Sequence, residues 1–92
     1  MEENADVTPT AAEIQGWIVA RVGRLANLPE AEVDPHAPLT RFGLDSVAVI
    51  ALAADLEKWL NFRFRENPVG ANTTIESLSR YLAGEVARQR LG

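Results

Sequence analysis

The sequence lacks cysteine and contains a single histidine, His36, among its 92 residues. Without cysteine the chain forms no disulfide and offers no thiolate of its own. His36 lies in a proline-rich loop with only Asp34 nearby, and a lone titratable group without partners is rarely catalytic. We therefore interpret His36 as a solvated loop residue, and the sequence predicts neither a catalytic residue nor a metal site.

Basic residues and long hydrophobic runs are also scarce. Nine Lys and Arg against thirteen Asp and Glu give a formal net charge of −4, which argues against binding to nucleic acid. The longest apolar run, Val47 to Ala54, is far shorter than the about 20 residues that span a membrane. The first residues are polar and acidic, unlike a signal peptide. We expect a cytoplasmic chain with no nucleic-acid or membrane partner, monomeric as an isolated domain.

The remaining composition is that of a small globular domain, with 47% hydrophobic and 24% charged residues. Ninety-two residues make one domain, near the lower limit for a core without disulfides. Residues 1–9 have no periodicity and are predicted to form a disordered tail or linker. Residues 10–90 are predicted to form the folded domain.

The first predicted helix runs from about Ala11 to Ala26. Thr10 and Glu13 have the spacing of a capping box at its start, and apolar residues recur behind them at helical spacing. A long connection over residues 28–44 follows, rich in proline. Connections of this length are commonly functional. We expect its apolar residues to pack onto the helices: Val33, Leu39 and Phe42.

The second predicted helix begins after Asp45, a good N-cap, and ends at about Leu60. It is apolar nearly all round, which is typical of a central core helix or of a binding surface. The expected core stripe comprises Val47, Ile50, Ala54 and Leu56 (or Ala53), and Leu60.

The last predicted helix begins after Thr73, which has capping-box spacing with Glu76, and ends near Arg90. Residues 65–73 before it leave room for one short helical turn. No segment has the alternation of a β-strand. The predicted architecture is an all-α bundle of three main helices plus a short third helix, with a long loop between helices one and two.

Ser46 provides the best candidate for a reactive atom. It follows a glycine-bearing loop and falls in the first turn of the second helix, where unpaired N–H groups and the helix dipole favour a phosphate. Serine beside aspartate at a helix start is also common as simple capping. A hydrolase would need a glycine two residues later, where this chain has Ala48, and a catalytic triad. The position of Ser46 alone therefore favours a role in capping the helix over a chemical role.

The surrounding sequence changes this interpretation. Residues 43–47, Gly-Leu-Asp-Ser-Val, resemble the Gly-x-Asp-Ser-Leu motif of acyl and peptidyl carrier proteins, with Val47 where that family most often has leucine. The resemblance extends from about Ala12 to Leu82 and is strongest to carrier domains of modular polyketide synthases. Residues 74–78, Thr-Ile-Glu-Ser-Leu, match the start of the last helix in those domains. The four-helix bundle of the family is also the architecture predicted above.

The resemblance implies that Ser46 receives the 4′-phosphopantetheine of coenzyme A from a phosphopantetheinyl transferase. The arm ends in a thiol and holds acyl groups as thioesters, so the chain would act as a carrier in polyketide, lipopeptide or related lipid biosynthesis rather than as an enzyme. Asp45 would help the transferase, while Leu44 and Val47 would pack beside the arm. The other implied partners are an acyltransferase or fatty-acyl-AMP ligase, and a ketosynthase or other synthase domain.

The second helix departs from many free-standing fatty-acid carriers, in which acidic residues meet basic partner surfaces. Here its acids come late, at Asp55 and Glu57, so we expect partner recognition of more apolar character. The alternative to a covalent carrier is a helical module that binds partners non-covalently through the apolar face of the second helix.

Overall fold

The computed structural model describes residues 9–61, 63–64, 69 and 73–91. These ranges contain three α-helices and no β-strand: α1 (Ala11–Ala26), α2 (Ser46–Leu60) and α3 (Ile75–Leu91). The predicted all-α class and the positions of the three main helices are confirmed. Apart from Pro9, the predicted tail lies outside the described residues. So does the short helical turn predicted within 65–73, except for Val69 and Thr73.

Side-chain caps fix where the helices begin. At α1, the Glu13 amide donates to Thr10 Oγ1 at 3.1 Å and the Thr10 amide donates to Glu13 Oε1 at 2.8 Å, which confirms the predicted capping box. At α3, the cap predicted for Thr73 is wrong by one residue. The Ser77 amide donates to Thr74 Oγ1 at 3.0 Å, whereas the Glu76 amide donates to the Pro35 carbonyl at 2.9 Å.

The core is formed by the apolar residues on the facing sides of the three helices and by apolar side chains of the long loop. Val33 and Leu39 are buried and Phe42 packs against the same cluster, which confirms the predicted anchoring of the loop. The helical core residues are Ile14, Ile18 and Val22 of α1, Leu52, Ala53, Leu56 and Leu60 of α2, and Ile75, Leu78, Leu82 and Val86 of α3.

Backbone hydrogen bonds hold the long loop against the start of α3. The Leu39 amide donates to the Thr73 carbonyl at 2.9 Å, next to an isolated β-bridge between Pro38 and Thr74. The Pro35 carbonyl accepts one of the first-turn amides of α3. Two short 3-10 turns, Glu30–Glu32 and Leu39–Phe42, organise the rest of the loop. The segment that leads into α2 is thus fixed in place.

The orientation of α2 differs from the predicted core stripe. Val47 is 75% exposed and Ile50 62% exposed, and Ala54 also faces solvent. Leu52 is buried instead, together with the predicted Leu56 and Leu60 and with Ala53, which the prediction named as an alternative. Because α2 is apolar nearly all round, its sequence alone does not select one face, and packing against the rest of the core decides it.

An aromatic pair joins the C-terminal half of α2 to α1. The rings of Trp17 and Trp59 are stacked, with centroids 5.1 Å apart and planes 5° from parallel. The Arg21 guanidinium lies 4.8 Å from the Trp17 ring centroid, and its Nη1 contacts Asp55 Oδ2 at 2.6 Å. The stacked rings and the cation–π pair each contribute about 0.5–1.5 kcal/mol to the free energy of unfolding. This cluster fixes the end of α2 away from Ser46.

Two glycines of α1 offer a matched test of packing. A Cβ at Gly23 would lie 2.9 Å from the Leu28 carbonyl oxygen, where the chain closes back onto the helix, whereas a Cβ at Gly16 would meet nothing within 4 Å. We expect Gly23→Ala to lower the free energy of unfolding by about 1–3 kcal/mol through this clash. Gly16→Ala should raise it by about 0.5–1 kcal/mol by restricting the unfolded chain. Urea denaturation measures both, and equal stabilities for the two variants would contradict the packing described here.

Candidate functional site

A turn at Gly43 leads the chain into α2. Gly43 follows the 3-10 turn Leu39–Phe42 and has φ = 69°, a left-handed conformation that favours glycine. Its amide donates to the Thr40 carbonyl at 3.2 Å. The next residue, Leu44, is half-buried and packs against the core cluster. The chain is therefore anchored immediately before the helix starts.

Asp45 caps α2, as predicted. Its backbone is extended, with φ = −85° and ψ = 178°, and its Oδ1 accepts the Ala48 amide at 2.8 Å. Its carbonyl oxygen accepts the Val49 amide at 3.0 Å. The carboxylate thus defines the start of the helix.

Ser46 is the first residue of α2 and is exposed. Among the residues that the structure describes, the amides of Ser46 and Val47 have no hydrogen-bond acceptor. Such first-turn amides lie at the positive end of the helix dipole and suit an anionic group. The position thus combines an accessible hydroxyl with a local field that stabilises a phosphate attached to it.

The two apolar neighbours of this position differ in exposure. Leu44 belongs to the core side of the chain, whereas Val47 points to solvent. Val47 begins a row of exposed residues at helical spacing, which we call the α2 stripe: Val47, Ile50, Ala51 and Ala54. The sequence pattern placed Val47, Ile50 and Ala54 in the core, although it left open that an apolar face of this helix is a binding surface. The all-round apolar character of α2 was the available signal.

The other polar candidates do not form a site. His36 is exposed, and its amide donates to Asp34 Oδ1 at 2.9 Å in a local loop contact. In the part of the chain that the structure describes, no three or more His, Asp or Glu residues are grouped as metal ligands.

No helix within those residues has the length and apolar character needed to cross a membrane.

The cap of α2 allows a test of local stability. Asp45→Ala removes the acceptor of the Ala48 amide and should lower the free energy of unfolding by about 1 kcal/mol. Asp45→Asn keeps a capping oxygen without the charge, and its stability should stay close to that of the wild type. Thermal unfolding followed by circular dichroism compares the three proteins. A cap role is contradicted if the alanine variant is as stable as the asparagine variant.

Comparisons with known proteins show the family of this chain. The model of the phosphopantetheine attachment site family matches residues 16–82. The acyl carrier protein TtuC of Teredinibacter turnerae is 31% identical over 83 residues, covering 90% of this chain and 95% of that protein. A phenolphthiocerol/phthiocerol polyketide synthase chain of Mycobacterium tuberculosis is 25% identical over 80 residues, which cover 87% of this chain and 4% of the synthase chain.

Solved structures show the same fold. A free-standing peptidyl carrier protein from an uncharacterized Acinetobacter baumannii secondary metabolic pathway superposes with a TM-score of 0.77 at 25% identity, covering 84% of this chain and 96% of the other. An HMG-ACPI domain from the CurA module of Lyngbya majuscula superposes with a TM-score of 0.76 at 18% identity, covering 97% and 91%. The matched region includes the whole of α2 with its exposed first-turn serine. The chain therefore belongs to the phosphopantetheine attachment site family and is a carrier protein domain that takes a covalent 4′-phosphopantetheine.

Proposed function

We propose that this chain carries acyl intermediates as thioesters on a 4′-phosphopantetheine arm attached to Ser46. The observation that supports this most directly is the exposed Ser46 hydroxyl in the first turn of a capped helix, inside the region matched by the family. The bound arm would supply a terminal thiol, the nucleophile that this cysteine-free chain lacks.

Attachment uses Ser46 as the nucleophile. Its Oγ forms a bond to the phosphorus that bears the pantetheine of coenzyme A, the hydroxyl proton is lost, and adenosine bisphosphate leaves with the electrons of the broken P–O bond. The product is a phosphodiester with one negative charge. The free amides of Ser46 and Val47 and the helix dipole stabilise that charge at the start of α2.

The flanking residues have separate roles in this proposal. Asp45 holds the helix start and presents its charge to the transferase, Leu44 anchors the turn in the core, and Val47 offers an apolar surface beside the arm. Asp45→Asn separates the first two effects, because it keeps the cap and removes the charge. A slower attachment in this variant at unchanged stability would assign the charge to transferase recognition.

The partners follow from the role of a carrier. A phosphopantetheinyl transferase adds the arm, an acyltransferase or fatty-acyl-AMP ligase loads it, and a ketosynthase or other synthase domain receives the acyl group. The chain itself catalyses no step, and we place it in the cytoplasm with these enzymes. Relatives named for polyketide synthesis and secondary metabolism support a related pathway here.

Loading of the purified chain tests the function. The protein is incubated with coenzyme A and a broad-specificity phosphopantetheinyl transferase, and its intact mass is measured before and after addition of an acyl-loading enzyme. We expect a gain of one phosphopantetheine, followed by one acyl group that hydroxylamine removes, as a thioester requires. A chain that gains no mass but still binds a synthase enzyme would instead be a non-covalent interaction module.

A further inference from the structure

An open cleft lies at the end of α2 opposite Ser46. Its volume of about 490 Å³ is within the range of small-molecule sites. It is lined by Ala54, Glu57, Lys58, Asn61 and Arg63. Three of these residues are exposed and carry hydrogen-bond donors, namely the Lys58 ammonium, the Asn61 side-chain amide and the Arg63 guanidinium. The cleft therefore suits a small anionic group.

The charged groups that line the cleft are predominantly basic. Glu57 Oε2 accepts the Phe64 amide at 2.7 Å, whereas neither Lys58 nor Arg63 has an ion-pair partner within the described ranges. Two cations and one anion give the lining a net charge of +1, although the whole chain carries −4. Salt screens exposed charges beyond about 8–10 Å at physiological ionic strength. A charged group in the cleft therefore responds to the lining rather than to the net charge.

The cleft opens on the same side of α2 as Ser46. Ile50, Ala54 and Lys58 follow Ser46 at intervals of four residues, and positions with this spacing lie one above another on a helix. Ile50 is 62% exposed, and Ala54 also faces solvent. A path over exposed residues of α2 therefore leads from the Ser46 hydroxyl to the cleft.

The phosphopantetheine arm has the length that this path requires. About 13 bonds separate its phosphorus from its sulfur, as many as in four to five residues of extended chain, which span roughly 15 Å. Lys58 comes twelve residues after Ser46, about 18 Å along the helix axis. An arm extended along α2 thus brings its thioester to the cleft. Roughly 5–7 Å more, the length of four to six bonds, carries the far end of an acyl group to the two cations.

We propose that the cleft binds the end of the acyl group carried on this chain's own arm, and that this acyl group has four to six carbons and ends in a carboxylate. This inference rests on the proposed function and adds the substrate class. Lys58 and Arg63 would pair with the carboxylate, and the Asn61 side-chain amide would donate a hydrogen bond to it. Exposed ion pairs are weak, so the acyl group can leave the cleft for a partner enzyme.

The test compares a charged and an uncharged acyl group with the same number of carbons. The transferase attaches the whole acylated arm from adipoyl-coenzyme A or from hexanoyl-coenzyme A, and the intact mass confirms each product. Backbone amide NMR shifts are then measured relative to the holo-protein. At the residues that line the cleft, we expect adipoyl to cause shift changes about threefold or more larger than hexanoyl does. One or two exposed ion pairs change a bound population by such a factor.

Matched variants identify the groups that hold the carboxylate. Lys58→Gln and Arg63→Gln each remove one cation and should reduce the adipoyl-induced shifts at Ala54 and Asn61 by about half or more. Lys58→Arg keeps the charge and should preserve them. Arg24→Gln removes an exposed cation from the last turn of α1 and should leave them unchanged. Added salt should weaken the adipoyl-induced shifts in the wild type, because it screens exposed pairs.

The mass measurement separates failure of this inference from failure of the proposed function. If the wild type gains no arm, the proposed function fails and the cleft proposal fails with it. On fully loaded protein, three results would overturn the cleft proposal alone. These are equal shifts from adipoyl and hexanoyl, shifts confined to residues next to Ser46, and adipoyl-induced shifts that persist when both Lys58 and Arg63 are replaced by Gln.

Discussion

Ser46→Ala is expected to abolish phosphopantetheine attachment, so that the intact mass of the variant stays that of the unmodified chain. The reason is chemical, because alanine has no hydroxyl to form the phosphodiester. The fold should survive, since Ser46 is exposed and the cap of α2 belongs to Asp45. The measurement is intact-protein mass spectrometry after incubation with coenzyme A and the transferase.

Ser77→Ala provides a matched control for this variant. Ser77 is also an exposed serine in the first turn of a helix, and it donates and accepts hydrogen bonds with Thr74 rather than lying beside a glycine turn. We expect Ser77→Ala to be modified fully. Attachment to Ser46→Ala at the wild-type level, or its loss in Ser77→Ala with the fold intact, would contradict the assignment of Ser46.

Leu56→Asp is expected to unfold the protein, whereas Ile50→Asp on the same helix should leave it folded. Leu56 is fully buried, and its replacement removes about 2–3 kcal/mol of apolar burial and adds the cost of several kcal/mol for an unpaired buried charge. A domain of this size has a total stability of only about 5–14 kcal/mol. Ile50 is 62% exposed, so aspartate there stays in water and should cost about 1 kcal/mol or less.

Far-UV circular dichroism and thermal unfolding of the two variants measure this difference. Leu78→Asp on α3 should behave like Leu56→Asp, since Leu78 is only 2% exposed. A cooperative native-like transition in Leu56→Asp, or unfolding caused by Ile50→Asp, would show that α2 packs through another face. The predicted core stripe contained both Ile50 and Leu56, so the Ile50→Asp variant is the one that distinguishes the predicted orientation from the observed one.

The parts of the fold that depend on local chemistry were predictable from the sequence. Thr10 and Asp45 carry oxygen atoms that accept first-turn amides, and the starts of α1 and α2 follow from them. The apolar residues Val33 and Leu39 are flanked by polar residues and prolines in the long loop, and both are buried. At α3 two adjacent threonines both fit a cap, and the backbone contact of Glu76 with Pro35 leaves Thr74 as the capping residue.

The orientation of α2 and the tryptophan pair were not predictable in the same way. In α2 the apolar residues cover most of the helix, so several stripes fit the helical period equally well. Which side of α2 faces the core depends on contacts with residues far away in the sequence. These include the stacking of Trp59 on Trp17 and the pairing of Asp55 with Arg21. These partners are separated by more than 30 positions along the chain, and periodicity within one helix carries no information about them.

The candidate site was easier to predict than the surface around it. Residues 43–46 encode a left-handed turn, a cap and an exposed hydroxyl within four positions, and each of these features depends only on residues next to it in the chain. Whether Val47 is core or surface depends on how the whole helix is rotated. The same rotation exposes Ile50 and Lys58 on one side of α2, and the helical period alone does not determine which side that is.

Site-specific mass spectrometry of the modified wild-type protein is the most direct test of Ser46 as the attachment site. The chain is converted with coenzyme A and the transferase, digested, and its peptides are fragmented so that the phosphopantetheine is localised to one residue. We expect one phosphopantetheine per chain, on Ser46. Attachment to any other residue, or an unchanged mass under conditions that fully modify a known carrier protein, would contradict it.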